Sequence, residues 1–266
     1  MPASNSIVIV NHECRDGLRA LLHSLKMEET LDTEVIVVDN ASFDGSADMV
    51  AQDFPNVLLV RRDSNCGFAA GANAGVDQSH GDVVVICHSE IVASAHTLAE
   101  LADRVREGSG RKVGAIVPRL LDREQHDLPV AGPFPGIRLG ITGALSPQAG
   151  RKMFIPYLEH ATDAEWALMK CVAVSRGVFD VIGGFDEQFF LYYHDADFSR
   201  RLYNKQFRIL FDHEISVIDA SDQSKTIPAH LLRIIRKDQE KFLAKHLPGW
   251  QYKFVAGVRG LIGPKE

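Results

Sequence analysis

Five short runs of apolar, mostly β-branched residues alternate with helical segments through the first 118 residues. This alternation restricts the possible folds more than any other feature of the sequence does. We predict strands at residues 7–10, 34–38, 57–60, 82–86 and 113–118, with helices at 16–25, 46–53, 69–79 and 95–106 between them. Strands without apolar–polar alternation are buried on both faces, and strands separated by helices pair in parallel. The pattern therefore predicts an α/β fold with a mostly parallel central sheet flanked by helices.

The rest of the chain is organised differently. Residues 122–165 are rich in glycine and proline and are weakly periodic, which favours a variable loop or a small hairpin insert. A further strand is predicted near residues 208–211, and residues 227–246 form a basic amphipathic helix. We therefore expect one domain over residues 1–222, followed by a C-terminal basic helix and tail over residues 223–266.

Composition excludes several classes of function. The chain has 266 residues and a formal net charge of −6, so bulk charge gives no reason to expect nucleic-acid binding. Its four cysteines form no CxxC pair, which is typical of reduced thiols in a cytoplasmic protein. The N-terminus has no basic region of a signal peptide, and no apolar run is long enough to span a bilayer. We therefore expect a cytoplasmic protein.

An acidic pair follows an aromatic run in the segment GGFDEQFFLYYHDADFSRR, residues 183–201. Asp195 and Asp197 come after Phe189, Phe190 and two tyrosines, and a basic helix follows them. Carboxylates are costly to hold beside so much apolar surface, so we interpret the pair as functional. The alternative is that Asp195 only caps the helix that follows.

Two further motifs follow predicted strands. VIVVDNASFDGS places Asp39 just past a buried strand, where a carboxylate can accept hydrogen bonds from a base or a ribose; the alternative is a turn-forming Asp-Asn pair. NCGFAAGANAG, residues 65–75, opens a helix of small residues that can lie close to the sheet and to a ligand. Its first N–H groups would suit a diphosphate. Close helix–sheet packing alone would also explain the glycines.

The aromatic–acidic segment, VVDNAS, NxGFAxGxNxG and the first strand IVIVN together resemble the family 2 glycosyltransferases, especially the rhamnosyltransferase-like group. The resemblance covers roughly residues 5–120 and 168–220 and implies a GT-A fold, a nucleotide-sugar donor and inversion at the anomeric carbon. It implies that Asp195 deprotonates the acceptor hydroxyl, with Asp197 supporting catalysis or binding the acceptor. The donor-binding residues that it implies are Val10, Asn11, Asp39, Asn40, Asn65, Gly67, Phe68, Gly71, Asn73, His88 and Ser89.

The chain departs from the family where an acidic motif normally holds Mg²⁺ or Mn²⁺ against the diphosphate. The acidic positions fall on Cys87 and Ser89, with Glu90 one residue late. A histidine that can complete the metal site is replaced by Asp219. Three accounts stay open: an altered metal site on Glu90 and Asp219, metal-independent transfer, and a degenerate member that binds nucleotide, glycan or a partner without turnover. In the second account Lys170, Arg176 or His88 would stabilise the leaving diphosphate.

The resemblance also bears on the acceptor. It implies a glycan or lipid-linked acceptor of a cell-envelope polysaccharide. The basic helix, with Arg233, Arg236 and Lys237, precedes Trp250 and Phe254. Basic and aromatic residues together suit a membrane interface, so we expect peripheral contact with the inner face of the membrane. An ordinary packed helix with a solvated face is the alternative. A homodimer is also left open.

Overall fold

The structure is a computed structural model that describes residues 5–26, 32–132, 134, 162–221 and 228–262. The strands in this part of the chain are β1 (Asn5–Asn11), β2 (Thr33–Asp39), β3 (Leu58–Arg61), β4 (Val83–His88), β5 (Ile91–Val92), β6 (Val113–Leu121), β7 (Asp127–Leu128), β8 (Ala131–Gly132), β9 (Thr162–Ala164), β10 (Trp166–Ala167), β11 (Cys171–Ser175) and β12 (Arg208–Asp219). The helices are α1 (Arg15–Lys26), α2 (Ser46–Asp53), α3 (Gly67–Asp77), α4 (Ala95–Gly108), α5 (Arg176–Ile182), α6 (His194–Asn204), α7 (Ala229–His246) and α8 (Gly249–Ile262).

One large sheet organises the molecule. Its strand order is β3-β2-β1-β4-β11-β6-β12-β5, with β7 added beside β6 and β9 beside β12. Strands β3, β2, β1 and β4 are parallel, and β6 is parallel to β12. Strand β11 lies antiparallel between β4 and β6. The predicted α/β fold with a mostly parallel sheet is confirmed, and the antiparallel β11 is the feature that periodicity did not reveal.

The core sits where helices cover the sheet. Strand β1 is buried along its whole length, which explains why its sequence lacks polar alternation. The apolar positions at helical spacing on α1 (Leu18, Leu21, Leu22 and Leu25) and on α4 (Leu98, Leu101, Ala102 and Val105) are all buried. Each buried leucine contributes about 2 kcal/mol of hydrophobic stabilisation, so these faces fix both helices against the sheet.

Polar residues collect at one edge of the sheet because the parallel strands all end there. Asn11 pairs in register with Asp39, and Val10 pairs with His88. Strand β11 runs the other way, so Lys170, which directly precedes Cys171, lies at this same edge. Strand β12 also ends here, at Asp219. We call this edge, with Asn11, Asp39, His88, Lys170 and Asp219, the carboxyl edge.

The C-terminal helices pack on the segment that carries the acidic pair. Phe189 and Ala196 form a separate buried apolar cluster with Phe242 and Leu243 of α7 and Val255 of α8. The expectation of a tail after residue 246 was wrong, since residues 249–262 form α8. Packing of Val255 into this cluster gives the tertiary stabilisation that an isolated helix of this length lacks.

The glycine- and proline-rich region is described only at its two ends. Arg119, in β6, is paired with Asp127, and β7 pairs with β6, so the chain folds back after residue 121. Strand β8 pairs with β10, and β9 pairs with β12. These pieces agree with a hairpin-containing insert. The rest of the predicted loop, residue 133 and residues 135–161, lies outside the described residues.

Candidate active site

The first part of the site is a buried hydrogen-bond network at the ends of β1 and β2. Asn11 Nδ2 donates to Asp39 Oδ1 at 2.9 Å, and the Ser42 hydroxyl donates to the same oxygen at 2.7 Å. The Ser42 amide donates to Asp39 Oδ2 at 3.0 Å. Asp39 therefore shapes the turn after β2, as the turn interpretation predicted. The Asn11 Oδ1 atom is buried and has no partner within the described residues, so it offers an acceptor beside Asp39.

The start of α3 lies very close to this network. Asn40 Nδ2 donates to the Gly67 carbonyl at 3.0 Å. A Cβ atom on Gly71 would lie 2.8 Å from Val10 Cγ1 and 3.0 Å from Asn40 Nδ2. Only glycine permits this approach of helix and sheet, so the packing explanation for Gly71 holds. Contact of these residues with a donor stays a prediction.

Gly67 joins this network to the segment that carries the acidic pair. Its φ is +87°, and a Cβ there would lie 2.0 Å from the Phe190 carbonyl oxygen. The Phe68 amide donates to that oxygen at 3.1 Å, while the Gly67 amide donates to Asn65 Oδ1 at 2.9 Å. The first two amides of α3 are thus taken by the chain itself. The expectation that they face a diphosphate was wrong for these two groups.

Asn73 supports the loop before the acidic pair. Its Nδ2 donates to the Phe185 carbonyl and to Glu187 Oε1, both at 2.9 Å, and its Oδ1 accepts from the Phe185 amide at 2.9 Å. Both ends of the amide are therefore engaged by the GGFDE loop. These contacts explain the asparagine without any ligand, so its predicted donor contact rests on the family resemblance alone.

Three rings connect the carboxyl edge to α6. The His88 ring stacks on Phe68 with centroids 4.1 Å apart, and Phe68 lies 4.9 Å from the His194 ring. Burial, together with the charges on Lys170 and His194, lowers the pKa of His88 to about 3, so the ring is neutral at pH 7. A neutral ring is not a cation for the leaving diphosphate, and contact of His88 with a donor stays a prediction.

The residues at the family's acidic positions point away from a shared site. Cys87 is fully buried opposite Cys171, and burial raises its pKa to about 12. The Ser89 hydroxyl hydrogen-bonds the Cys14 thiol, and its amide donates to the Val10 carbonyl at 3.2 Å. Neither side chain offers a carboxylate ligand at the carboxyl edge, so these two positions do not replace the acidic motif.

Glu90 and Asp219, the candidate replacement ligands, are brought close together where β12 pairs with β5. The Ala220 amide donates to the Glu90 carbonyl at 2.9 Å. The Asp219 carboxylate, however, is engaged: Oδ2 lies 2.5 Å from Lys170 Nζ, and Oδ1 accepts from the Ser221 amide at 3.0 Å. A divalent ion bound to Asp219 would lie beside an ammonium group. The residues present therefore do not fit a metal site on Glu90 and Asp219.

A different acidic group lies nearby. Ligand atoms of Asp122, Glu124 and His126 all lie within 4.8 Å of one another, in the turn that follows β6. Asp122 Oδ1 already accepts from the Glu124 and His126 amides, so its carboxylate serves the turn. The residue types in this group could bind a cation. The hydrogen bonds of the turn explain the same cluster without one.

Asp195 lies in the first turn of α6 with 6% of its surface exposed. Its Oδ1 accepts from the Ala196 amide at 2.8 Å. Burial raises its pKa, against the effects of His194, the Ala196 amide and the Trp166 side chain. The helix cap position belongs to Tyr193, so capping alone does not explain Asp195. A buried carboxylate with a raised pKa is the form that a general base takes.

The neighbour of Asp195 is a buried histidine. Burial lowers the pKa of His194, although Asp195, Asp238 and Asp197 act in the opposite direction. The imidazole is therefore neutral at pH 7, and Asp195 keeps the higher pKa that burial gives it.

Three basic side chains occupy the Asp197 carboxylate. Its Oδ2 accepts from Arg201 Nε at 2.7 Å, and its Oδ1 lies 2.7 Å from both Lys245 Nζ and His246 Nε2. Burial acts to raise its pKa, but the hydrogen bonds from His246 and Lys245 and the charge on Arg201 lower it to about 2. Asp197 therefore stays ionised and ties α7 to α6, and its part in catalysis or acceptor binding stays a prediction.

Asp238 is a residue that sequence reasoning missed. Its Oδ2 accepts from the Leu191 and Tyr192 amides at 3.2 and 3.3 Å, and Lys241 Nζ lies 3.1 Å from its Oδ1. The carboxylate of α7 thus holds the loop that leads into Asp195. The sequence does place this aspartate on the apolar face of a basic helix, four residues before Phe242, and that position could have marked it as a buried carboxylate.

The part of the chain that the structure describes has the GT-A fold, which solved glycosyltransferases share. The structure of GalNAc-T7 with UDP, GalNAc and Mn²⁺ superposes with a TM-score of 0.62 at 14% identity, over 97% of this chain and 54% of that one. This chain thus spans about half the length of that protein. The mannosyltransferase PcManGT from Pyrobaculum calidifontis, with GDP-Man and Mn²⁺, gives 0.56 at 15% identity, over 100% and 77% of the two chains.

Sequence comparison finds a matching family and two relatives. Residues 6–126 match the model of Glycosyl transferase family 2. The N-acetylglucosaminyl-diphospho-decaprenol L-rhamnosyltransferase of Mycobacterium tuberculosis is 26% identical over 263 residues, 92% of this chain and 85% of the relative. The low-salt glycan biosynthesis hexosyltransferase Agl10 of Haloferax volcanii is 25% identical over 221 residues, 81% and 66% of the two chains. The N-terminal part of the chain is thus similar to glycosyltransferase family 2, and the relatives and the fold support a glycosyltransferase that uses nucleotide-sugar donors.

Proposed function

We propose that the protein is an inverting glycosyltransferase with Asp195 as general base. The observation that carries the proposal is the buried Asp195 carboxylate with its raised pKa, which the rings of Phe68 and His194 connect to the carboxyl edge. The ionised carboxylate takes the proton of an acceptor hydroxyl, and the hydroxyl oxygen attacks the anomeric carbon. The bond from that carbon to the diphosphate oxygen breaks, and the nucleoside diphosphate leaves with the electron pair.

The donor lies along the carboxyl edge in this proposal. Asp39 and Asn11 receive the nucleoside, since the free Asn11 Oδ1 atom and the remaining lone pair of Asp39 accept hydrogen bonds there. Asn40, Asn65, Gly67 and Gly71 keep this pocket in shape through contacts already described. The donor is deoxythymidine-diphosphate rhamnose or a uridine-diphosphate sugar, and similarity to a rhamnosyltransferase supports the first.

The acceptor is a glycan, and we propose a lipid-linked one. The support is the M. tuberculosis relative, whose name gives a decaprenol-linked acceptor. None of the helices described in the structure is both long and apolar enough to cross a membrane. Contact with the lipid would therefore come from the surface of α8, where Trp250 and Phe254 are 68% and 53% exposed. The protein would then act at the inner face of the membrane.

The basic face of α7 supports this membrane contact less than its sequence suggested. Lys241 and Lys245 are turned inward onto Asp238, Asp186 and Asp197. Arg233 and Lys237 are exposed and free to face anionic lipid headgroups.

Sedimentation with anionic liposomes tests the membrane contact. Trp250→Ser with Phe254→Ser should abolish binding, whereas Val181→Ser, at an equally exposed apolar position on α5, should not. Equal binding of all variants would remove α8 from the proposal.

Asp195→Asn tests the general base. Transfer should be measured from dTDP-rhamnose and from UDP-sugars to an N-acetylglucosaminyl-diphospho-lipid, together with calorimetric binding of dTDP and UDP. The variant should lose about 10³-fold in kcat and bind the nucleotide as well as the native protein does. The matched control is Asp180→Asn, an exposed aspartate on α5. Near-native turnover of Asp195→Asn would reject the assignment, and nucleotide binding without turnover by the native protein would support the degenerate account.

A further inference from the structure

Lys170 lies where a cation for a departing diphosphate is needed. It directly precedes β11, and its carbonyl accepts from the His88 amide at 3.0 Å. The strands β2, β1, β4 and β11 are neighbours in that order, so Asp39, Asn11, His88 and Lys170 follow one another along the carboxyl edge. Three strand spacings separate Asp39 from Lys170, a distance of about 14 Å. A nucleoside diphosphate with its base at Asp39 would bring its phosphates toward Lys170.

The ammonium group is held in place and keeps a donor available. Lys170 Nζ lies 2.5 Å from Asp219 Oδ2 and 3.2 Å from the Ser221 hydroxyl. An ammonium group has three donors, so these two contacts leave one for a ligand within the described part of the chain. The Lys170 side chain is 25% exposed and the Asp219 side chain only 2%. The aspartate thus lies beneath the lysine and orients it toward the open side.

The other cations considered for this task are excluded by the structure. Arg176 donates to the Gly81 and Val76 carbonyls and to the Ser79 hydroxyl. These partners lie at the opposite edge of the sheet, where β4 begins. The His88 ring is neutral at pH 7, as described above. Of the three candidates, Lys170 alone is both charged and at the carboxyl edge.

We propose that Lys170, positioned by Asp219, binds the diphosphate of the donor and takes the place of the divalent metal ion. This inference rests on the proposed function. As the bond between the anomeric carbon and the β-phosphate oxygen breaks, the electron pair stays on that oxygen. Lys170 donates a hydrogen bond to the diphosphate oxygens, and the proton of the acceptor hydroxyl goes to Asp195. Lysine serves as a point charge for phosphate in other nucleotide sites.

The test is calorimetric titration of the full chain with UDP, dTDP and GDP, and with UMP, dTMP and GMP, in EDTA and in Mn²⁺. The nucleotide that binds the native protein should do so within about twofold in both conditions. Lys170→Met removes the cation beside the buried Asp219 carboxylate, so the informative variant is Lys170→Met with Asp219→Asn, which keeps an acceptor for the Ser221 amide. It should bind the diphosphate about tenfold more weakly or worse and the monophosphate unchanged. Lys205→Met, an exposed lysine after α6, is the matched control.

The outcomes separate this inference from the proposed function. Native binding of a diphosphate that EDTA abolishes would overturn the role of Lys170 and leave the transferase proposal standing. Native-like diphosphate affinity in the double variant would do the same. No binding of any nucleoside diphosphate by the native protein, in either condition, would overturn both. Loss of diphosphate binding in the double variant with monophosphate binding retained, both in EDTA, would support Lys170.

Discussion

The His246 Nε2 atom lies 2.7 Å from Asp197 Oδ1, so the last residue of α7 is bonded to the first turn of α6. Lys245 and Arg201 bind the same carboxylate. Three basic side chains from two helices therefore converge on one buried aspartate, two residues after Asp195. The C-terminal helix, predicted as an addition to the transferase domain, supports the helix that carries the candidate base.

This contact predicts a loss of stability in acid. The folded-state pKa of Asp197, about 2, lies below its ordinary value of 3.8, so its contribution is present above about pH 4 and is lost as the pH falls toward 2. Asp197→Asn should lower the free energy of unfolding by about 2 kcal/mol at pH 7 and by much less near pH 2. Urea unfolding across this range measures it, with Asp180→Asn as the control. A difference independent of pH would contradict the ion-pair explanation.

The raised pKa of Asp195 predicts the acid limb of the pH–rate profile. The base must be ionised, so kcat/KM should rise with pH through a value above 3.8, the ordinary pKa of aspartate. Initial rates between pH 4 and pH 9, at acceptor concentrations well below its KM, measure the limb. The profile of Asp180→Asn should be that of the native protein. An acid limb at or below pH 3.8 would mean that burial does not raise the pKa of the Asp195 carboxylate.

A side chain at Gly67 should clash with the Phe190 carbonyl, where α3 meets the loop that leads to the acidic pair. The positive φ of Gly67 and the close Phe190 carbonyl leave no room for a side chain. Gly67→Ala should reduce the free energy of unfolding by about 2 kcal/mol or more and weaken nucleotide binding with it. Gly177→Ala is the matched control, because nothing lies within 4 Å of a Cβ there and its helix tolerates alanine. Thermal melts compare the two. Equal melting temperatures would show that the loop at Phe190 moves freely.

Asp238 predicts that a residue of α7 controls the loop before Asp195. Asp238→Ala removes the carboxylate that accepts from the Leu191 and Tyr192 amides and pairs with Lys241, at a cost of about 3 kcal/mol. Amide hydrogen exchange at residues 189–193 should accelerate, and kcat should fall more than nucleotide affinity. The exposed neighbour Lys237→Ala should leave both unchanged. Unaltered exchange in Asp238→Ala would mean that apolar packing alone holds the loop.

Local pattern explains what could be predicted. Leu18 and Leu98 recur at helical spacing on buried faces, and Asp39 and Asp195 stand in motifs that extend over many residues. The resemblance to the family and the mostly parallel sheet follow from such patterns. The antiparallel β11 did not, because a buried strand reads the same in either direction. The second C-terminal helix was missed because its burial depends on partners elsewhere in the chain, such as Phe189.

The sequence by itself determined the α/β fold, the resemblance to glycosyltransferase family 2 and the departure from its acidic metal motif, because each depends on residues close together in the chain. Only the tertiary structure decided which charges meet. Lys170 is 49 residues from Asp219, and Asp197 is 49 residues from His246. Both pairs depend on strand order and helix packing. Burial, which the fold creates, then neutralises His88 and raises the pKa of Asp195.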